Sequence, residues 1–467
     1  KKTIKESLNK MEYKTESIAA VSITSQRATF TPVNKKGEHI DNAILWQDKR
    51  ATEETEFIKN EIGEEYIYKY TGLNVDPYFS LPKLLWLKRN KEKTYNQMYK
   101  ILTVDAYIIN YLTDQFIIDW TQASRTMLFN LDQLKWDYSL AEKLEIDEHK
   151  LPEAVPPGSI VGEVKAEVEE EIGIPAGTPV ITAGGDQQNA AIGLGIIKSN
   201  LIEANTGTGS FVLAHVDESV KKKKKRVICS ASSVAGEYIM EAGIFSTGSV
   251  YRWFRDNFAE LEKDTAERFD LNPYEILDQE AKNSTAGAEG LMLIPHFAAS
   301  AAPYWDPQSL GILFGLTLGH ERSDVIRSFL EGITLEINKN IKIMEELVGE
   351  VTEIRVSGGA TRSSLFNQVQ SDVYGKPVIR TDFEESSALG AAILATQAVE
   401  IYSNLEKAID NMVSLDKSSR KYPDSKNHKL YTKICEIHDE IYKAMKSADI
   451  YEKASRLSDL KKQLNND

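Results

Sequence analysis

Apolar residues follow two rhythms that take turns along the chain. From Ser17 to Gln26, "SIAAVSITSQ", the run is short and β-branched and predicts a buried strand. Ala28 to Trp46, "ATFTPVNKKGEHIDNAILW", continues as a hairpin turning at Lys36-Gly37. Asp48 to Gly63, Ser80 to Met98 ("SLPKLLWLKRNKEKTYNQM") and Leu102 to Thr113 instead repeat apolar residues every three or four positions, as core-facing helices do. The start, "KKTIKESLNKMEYK", reads as an amphipathic charged helix rather than a signal peptide. After the turn-rich "LPEAVPPGSIVGEV" comes Val180 to Ile196, "VITAGGDQQNAAIGLGI": an apolar strand, two glycines, then a helix opening on Asp186.

A polar connector, "IKSNL" from Ile197 to Leu201, is the expected domain junction, giving domains 1–197 and 198–467. Beyond it "LIEANTGTGSFVLAHV" is strand, Gly-Thr-Gly turn, strand. The segment Thr352 to Thr381, "TEIRVSGGATRSSLFNQVQSDVYGKPVIRT", repeats the design of the Asp186 stretch: strand, Gly-Gly, helix, strand. Alternating strands and helices of this kind predict an α/β fold. The tail from Lys417 is polar and helical, and a peripheral position is expected for it.

Composition narrows the function classes. With 467 residues, 42% apolar and 27% charged, the chain can bury large cores in two or three domains. A net charge of −14 argues against a general nucleic-acid binder, and no apolar run approaches the length of a membrane span. The run Lys221 to Arg226 reads either as a solvated hairpin tip or as a phosphate or localisation patch. Cys229 and Cys435 are far apart with no CxxC, so neither a disulfide framework nor a zinc site is indicated, and a reducing, cytoplasmic compartment fits.

The candidate chemistry sits at the glycine turns. Asp186 is either an N-cap or a general base fixed at the mouth of the sheet. The chain has neither GxxxxGK[ST] nor a GxGxxG after a strand. Gly207-Thr208-Gly209 is a β-turn or an anion nest, and Gly358-Gly359 serves close strand-to-helix packing or a flat approach to a nucleobase.

Two longer blocks are more specific. Tyr78 to Asn90, "YFSLPKLLWLKRN", and Gly311 to Glu331, "GILFGLTLGHERSDVIRSFLE", resemble the two signatures of the FGGY carbohydrate kinases, with Phe329 where a smaller residue is usual. "ILWQDKR", "ASRTMLFN", "GGDQQ", "NTGTGSF", "APYWDP" and "SGGA" resemble further family blocks in family order. Within the family they are most similar to the glycerol-phosphorylating members.

The resemblance implies a two-domain α/β fold of the actin, Hsp70 and hexokinase (ribonuclease H-like) type with a cleft between domains, the first binding acceptor and the second nucleotide. It implies an ATP-dependent, Mg2+-assisted transfer of the γ-phosphate to a hydroxyl of glycerol or a related polyol or ketose, with Asp186 as catalytic base. Arg27, Trp46, Tyr78, Gln187 and Phe211 match the acceptor pocket. Gly207, Thr208, Gly209, Gly248, Arg252, Gly359 and Ser363 match the nucleotide site; at Arg252 the glycerol-phosphorylating members usually have Gln. No metal ligand is assigned.

The same members have Arg-Glu where this chain has Arg27-Ala28, which keeps a larger acceptor such as xylulose open. The family's Asp-x-Gly-Thr hairpin is not in the sequence, and we expect a few dozen residues carrying it to precede Lys1. A non-catalytic sugar or nucleotide sensor and an acceptor-independent ATPase are the competing readings. The resemblance also allows a homodimer.

Overall fold

Strands and helices alternate as the apolar rhythm predicts in the computed structural model, which describes residues 1–216 and 227–464. The basic run Lys221 to Arg226 lies outside the described residues. Helices form at Lys2–Lys10, Thr52–Glu61, Ser80–Asn90 and Val104–Thr113. The stretch predicted as one helix over Ser80 to Met98 breaks at Lys91, whose φ of −135° and ψ of 53° leave the helical region, and resumes as Glu92–Gln97. The early hairpin turns at Gly37, with φ of +77°, and bridges Val33 to His39 and Phe30 to Ile44.

The chain forms two compact units, each gathered from three stretches. One comprises Lys1–Ile197, His215–Met240 and Glu385–Ser414; the other comprises Lys198–Ala214, Glu241–Glu384 and Leu415–Asp467. Among the described residues no helix is long and apolar enough to cross a membrane.

In the first unit Pro179–Gly185 is the middle strand of three, parallel to Val21–Ser25 and antiparallel to Ile160–Glu163. Val21–Ser25 is half-buried at all five positions rather than buried, because it stands at the end of the strand order. The parallel register slips between Ile23 and Thr24, so Ala183 is passed over just before the glycine turn. Phe30, Ile58, Ile67, Leu73, Leu81 and Phe129, none more than 1% exposed, centre the larger core beside this sheet.

The helix Asp186–Gly193 lies against Ser386–Ala398, a segment that returns to this unit some two hundred positions later in the chain. The two approach at glycines. A Cβ on Gly193 would collide with the Ser386 carbonyl, and one on Gly390 with the Asn189 carbonyl. Small residues therefore set the depth at which the Asp186 helix is seated.

In the second unit adjacent strands run Tyr238–Ile244, Ser210–Val216, Leu201–Thr206, Glu353–Ser357, Val378–Arg380. Leu201–Thr206 pairs antiparallel with Ser210–Val216 and parallel with Glu353–Ser357, so the Gly-Thr-Gly turn and the Gly358-Gly359 turn emerge from neighbouring strands at the same end. The 27-residue helix Arg322–Val348 starts with a capping box, the Glu321 and Asp324 side chains each meeting the other's backbone N–H. Phe329, bulkier than the family signature leads one to expect, sits 4.7 Å from the Phe254 ring and stacks 6.5 Å from Trp253.

The polar tail is more deeply built in than its composition predicts. Its helix Ser425–Ser447 buries Tyr431 and His438 completely. The Tyr431 hydroxyl donates to Glu331 at 2.6 Å and receives Arg327 at 3.4 Å, while Arg327 Nε donates to Glu331 at 2.7 Å. A buried acid paired this way has its charge compensated, which explains how a polar helix supplies core. His438 Nε2 donates to the Leu293 carbonyl 2.9 Å away, and its burial together with nearby Lys339 pushes its pKa from 6.5 down to about 3.

Two stability tests follow from this packing. Gly390→Ala should lower the urea midpoint by the equivalent of about 2–3 kcal/mol, because overpacking against backbone outweighs the roughly 1 kcal/mol of helix propensity gained. For His438 the unfolded chain takes up a proton below about 6.5 while the folded chain does not until about 3. Stability should therefore fall as pH drops through that window, and His438→Gln should flatten the slope in pH-dependent denaturation.

Candidate functional site

The acceptor-side residues predicted from sequence gather in the first unit around the segment Arg27 to Thr29. The Asp186 helix begins at an N-cap position held by Gly185, not Asp186, and no side chain caps it. The N-cap reading of Asp186 is thereby replaced: its carboxylate Oδ1 accepts the Gln187 N–H at 2.8 Å and faces Arg27 Nε at 3.3 Å. Arg27 has a side chain only 3% exposed, whereas that of Asp186 is 36% exposed. A buried cation thus anchors a carboxylate whose far side meets solvent. Arg27 also donates from NH1 to Gln188 Oε1 at 3.2 Å, and Gln188 in turn donates to Ser230 Oγ at 3.2 Å.

The aromatic members join through the backbone. Trp46 donates its N–H to Thr29 Oγ1 at 3.0 Å, and its ring lies 5.1 Å from that of Tyr78. Lys83, wholly buried, explains why both rings are held. Its Nζ donates to the carbonyls of Tyr78 at 2.5 Å, Trp46 at 3.3 Å and Phe79 at 3.3 Å. Burial pushes the Lys83 pKa down to about 8, against the pull of Asp48 and Asp76. Sequence reasoning recognised Lys83 only as part of a signature, since nothing local shows that one ammonium gathers three carbonyls.

Gln187 has a buried side-chain oxygen with no hydrogen-bond partner among the described residues. Ala28, at φ +63°, is fully buried, and its carbonyl accepts the Ser80 hydroxyl at 3.1 Å. Phe211 belongs to the second unit, half-buried on the strand Ser210–Val216; the nearest atoms a side chain on Gly243 would meet are those of its ring.

The nucleotide-side residues line one cavity of about 460 Å³ in the second unit. Gly207, Thr208, Gly248, Arg252, Gly359 and Ser363 all face it, and Gly209 is the one member of that set which does not. Gly209 instead is pressed on the carbonyls of Ile244 and Phe245, where a Cβ would come within 2.5 Å of the former. Gly248 is pressed on the Gly207 carbonyl, to which it donates its N–H at 3.1 Å, and the Ser249 N–H donates to the Thr208 carbonyl at 3.0 Å. The turn is therefore tied to the N-terminus of the helix Gly248–Phe258, whose Arg252 stands one helical turn above Gly248.

On the opposite wall Gly358, at φ +90°, packs over the Thr206 carbonyl while Gly359 has no atom within 4 Å of its absent Cβ. The first glycine therefore packs and the second is left open toward the cavity. Ser363 accepts the Phe366 N–H at 3.0 Å as the N-cap of Ser364–Tyr374.

Sequence reasoning missed the floor of this cavity. Tyr251, Tyr274 and Asp278 line it; the Tyr251 hydroxyl donates to Asp278 at 3.3 Å, and burial pushes the Asp278 pKa up, with the Ser363 and Tyr251 hydroxyls pulling it back. Tyr251 sits three residues after Gly248 and was findable from helix spacing; Asp278 lies in an ordinary amphipathic helix and gave no signal. Among the described residues no group of three or more His, Cys, Asp or Glu could hold a metal ion.

Residues 1–193 match the N-terminal domain, and residues 203–399 the C-terminal domain, of the FGGY family of carbohydrate kinases. Glycerol kinase of Thermococcus gammatolerans is 35% identical over 422 residues, 89% of this chain and 82% of that protein. The crystal structure of ligand-bound xylulose kinase from Lactobacillus acidophilus superposes with a TM-score of 0.87 at 27% identity, covering 97% of this chain and 88% of that one. Plasmodium falciparum glycerol kinase with ADP gives a TM-score of 0.83 at 25% identity, over 94% and 87% of the two chains.

The open face at Gly359 can be tested directly. Gly359→Ala should leave the unfolding midpoint of the free protein unchanged, because its methyl meets nothing, yet weaken ADP binding about tenfold in calorimetric titration, within the usual 1–3 kcal/mol of a steric insertion. Gly248→Ala, which collides with backbone, should lower both.

Proposed function

This chain belongs to the FGGY family of carbohydrate kinases and is an ATP-dependent phosphotransferase acting on an alcohol group, and from that premise we propose that Asp186 is its catalytic base. In this reading Asp186 takes the proton from the acceptor hydroxyl as that oxygen attacks the γ-phosphorus and the bond to the β-phosphate breaks. An ordinary ionised carboxylate suffices, since positioning dominates in loose phosphoryl transfer. The observation that carries the proposal is the pairing of a buried, oriented Arg27 with a carboxylate left partly open at a helix start. Arg27 fixes the direction of the acid, and the rigid strand-turn-helix fixes its place.

The acceptor pocket is assigned to the first unit, with Arg27 and Gln187 for hydroxyls and Trp46 and Tyr78 for C–H faces; Phe211, which the resemblance matched to the same pocket, belongs to the second unit. The unpartnered Gln187 oxygen supports this, because a buried acceptor of that kind gains by meeting a substrate hydroxyl. The nucleotide is assigned to the second unit, without His215–Met240 and Glu385–Ser414, which belong to the first. The exposed Gly207-Thr208 turn, tied to a helix N-terminus, suits the phosphates, as backbone N–H groups and the helix dipole both favour anions. Gly359 and Ser363 suit the nucleoside, and Gly209 acts by allowing the turn to pack. Mg2+ enters with the nucleotide: this ion commonly takes most of its ligands from phosphates and water rather than from a protein cage. Cys229 and Cys435 form no disulfide, which supports a reducing, cytoplasmic setting.

Glycerol is the first acceptor to test, with xylulose second. Ala28 lacks the carboxylate that glycerol-phosphorylating members place beside Arg27, and it is fully enclosed rather than open to solvent, so the pocket loses an acceptor group without gaining room at that point. This favours a compact polyol over a longer sugar.

ADP release measured with ATP and glycerol, erythritol, xylulose or gluconate decides the reading. Acceptor-dependent ADP formation, reduced by about 10²–10⁴ in Asp186→Asn, is expected. Acceptor binding without turnover would make the protein a sensor, acceptor-independent hydrolysis an ATPase, and an undiminished Asp186→Asn rate would remove Asp186 from the chemistry.

A further inference from the structure

Behind Asp186 lies a chain of buried polar groups that the reaction does not touch. Thr121, at the start of the short helix Trp120–Ala123, is fully buried, and its Oγ1 lies 2.5 Å from Asp119 Oδ1 and 2.8 Å from the Gly185 nitrogen. The directions are fixed by chemistry. The Gly185 N–H can only donate, so the Thr121 oxygen accepts it and the single hydroxyl hydrogen of Thr121 goes to Asp119 Oδ1. Asp119 Oδ1 is held in place by two further donors, the N–H groups of Thr121 at 2.7 Å and Gln122 at 3.3 Å.

Asp105, on the helix Val104–Thr113, is buried beside Asp119, and both side chains are 0% exposed. Burial, with Asp119 adding to it, pushes the Asp105 pKa up to about 7, and burial pushes that of Asp119 up as well. Gly184, at φ +97°, leaves the space the contact needs: a Cβ there would collide with Thr121 Oγ1 and come within 2.9 Å of Asp119 Oδ1.

We propose that Thr121, oriented by Asp119, is the positioning residue of this kinase: its hydroxyl holds the Gly185 N–H, and so sets where the next residue, Asp186, presents its carboxylate. The inference rests on the assignment of Asp186 as base. Gly185 is the N-cap of the Asp186 helix, so a shift at its nitrogen moves the first helical residue directly. The remaining ties on the turn, Asn189 Nδ2 to the carbonyls of Ala183 and Gly185 at 2.8 and 3.1 Å and Thr24 Oγ1 to that of Gly184 at 2.9 Å, grip carbonyls only. Thr121 supplies the grip on the N–H.

The test uses the full enzyme with ATP and the best acceptor of glycerol, erythritol, xylulose and gluconate. Thr121→Val keeps the shape and deletes the hydroxyl; kcat should fall about 10- to 100-fold, the scale of a catalytic group displaced by up to 1 Å, while both KM values stay within about twofold. Thr121→Ser should restore most of the rate. Asp119→Ala removes the acceptor that orients the Thr121 hydroxyl, and should also lower kcat with little change in KM, which keeps the inference testable if Thr121→Val folds poorly. In an Asp186→Asn background, Thr121→Val should slow the residual reaction no further. A Thr121→Val or folded Asp119→Ala enzyme with undiminished kcat, a Thr121→Ser enzyme as slow as the valine variant, or an equal loss in the Asp186→Asn background overturns the inference alone. An undiminished Asp186→Asn rate overturns the base assignment, and this inference with it.

Discussion

The Gly185 N–H ends on the hydroxyl of Thr121, and room for that contact exists only because Gly184 has no side chain. Much of the first unit is arranged around this close approach. The middle strand slips register at Ala183 just before it, Asn189 folds its amide back onto the carbonyls on either side, and the helix that follows is seated against Ser386–Ala398 through Gly193 and Gly390. Each device removes a freedom from the backbone that carries Asp186. A base is useful to phosphoryl transfer when it is fixed before substrate arrives, and a turn with its N–H and carbonyls all engaged is fixed in that sense.

The second unit solves a related problem with the same elements in a different division of labour. There, too, a strand ends in two glycines and a helical segment follows, but Gly358 does the packing, over Thr206, and Gly359 is left facing open space. In the first unit both glycines are enclosed and the exposed group is the next side chain. One pattern therefore yields a presented carboxylate in one unit and an open backbone face in the other. What decides between them is the neighbouring element: the Asp119–Thr121 corner fills the space beside Gly184, and none of the described residues fills it beside Gly359.

Buried charge plays a consistent part in both units. Lys83 gathers three carbonyls behind the Trp46 and Tyr78 rings, and Arg327, Glu331 and Tyr431 bind the tail helix to the long helix of the second unit. Glu336 is also buried; burial pushes its pKa up, yet Lys339 at 3.0 Å and His296 at 3.1 Å hold it well below the ordinary carboxylate range. Such groups add little net stability over well-packed apolar residues, because their desolvation offsets their attraction. They contribute direction, since a hydrogen-bonded ion has one acceptable geometry where a leucine has several.

The sequence by itself determined the order of strands and helices, the glycine turns and the residue types fit for phosphate and hydroxyl chemistry, because periodicity, turn chemistry and charge are local properties. It also carried the family, through motifs whose spacing along the chain is the same before and after folding. Only the tertiary structure decided which glycine packs and which opens, that the edge strand is half-exposed, that a polar tail buries Tyr431 and His438, and that Asp105, Thr121, Lys83 and Asp278 stand behind or beneath the predicted residues. Those outcomes depend on atoms from distant stretches meeting in one place, such as Thr121 and Gly185, 64 positions apart. Distances of that kind have no counterpart along a chain, so a reading by position could name the groups that act but not the groups that hold them still.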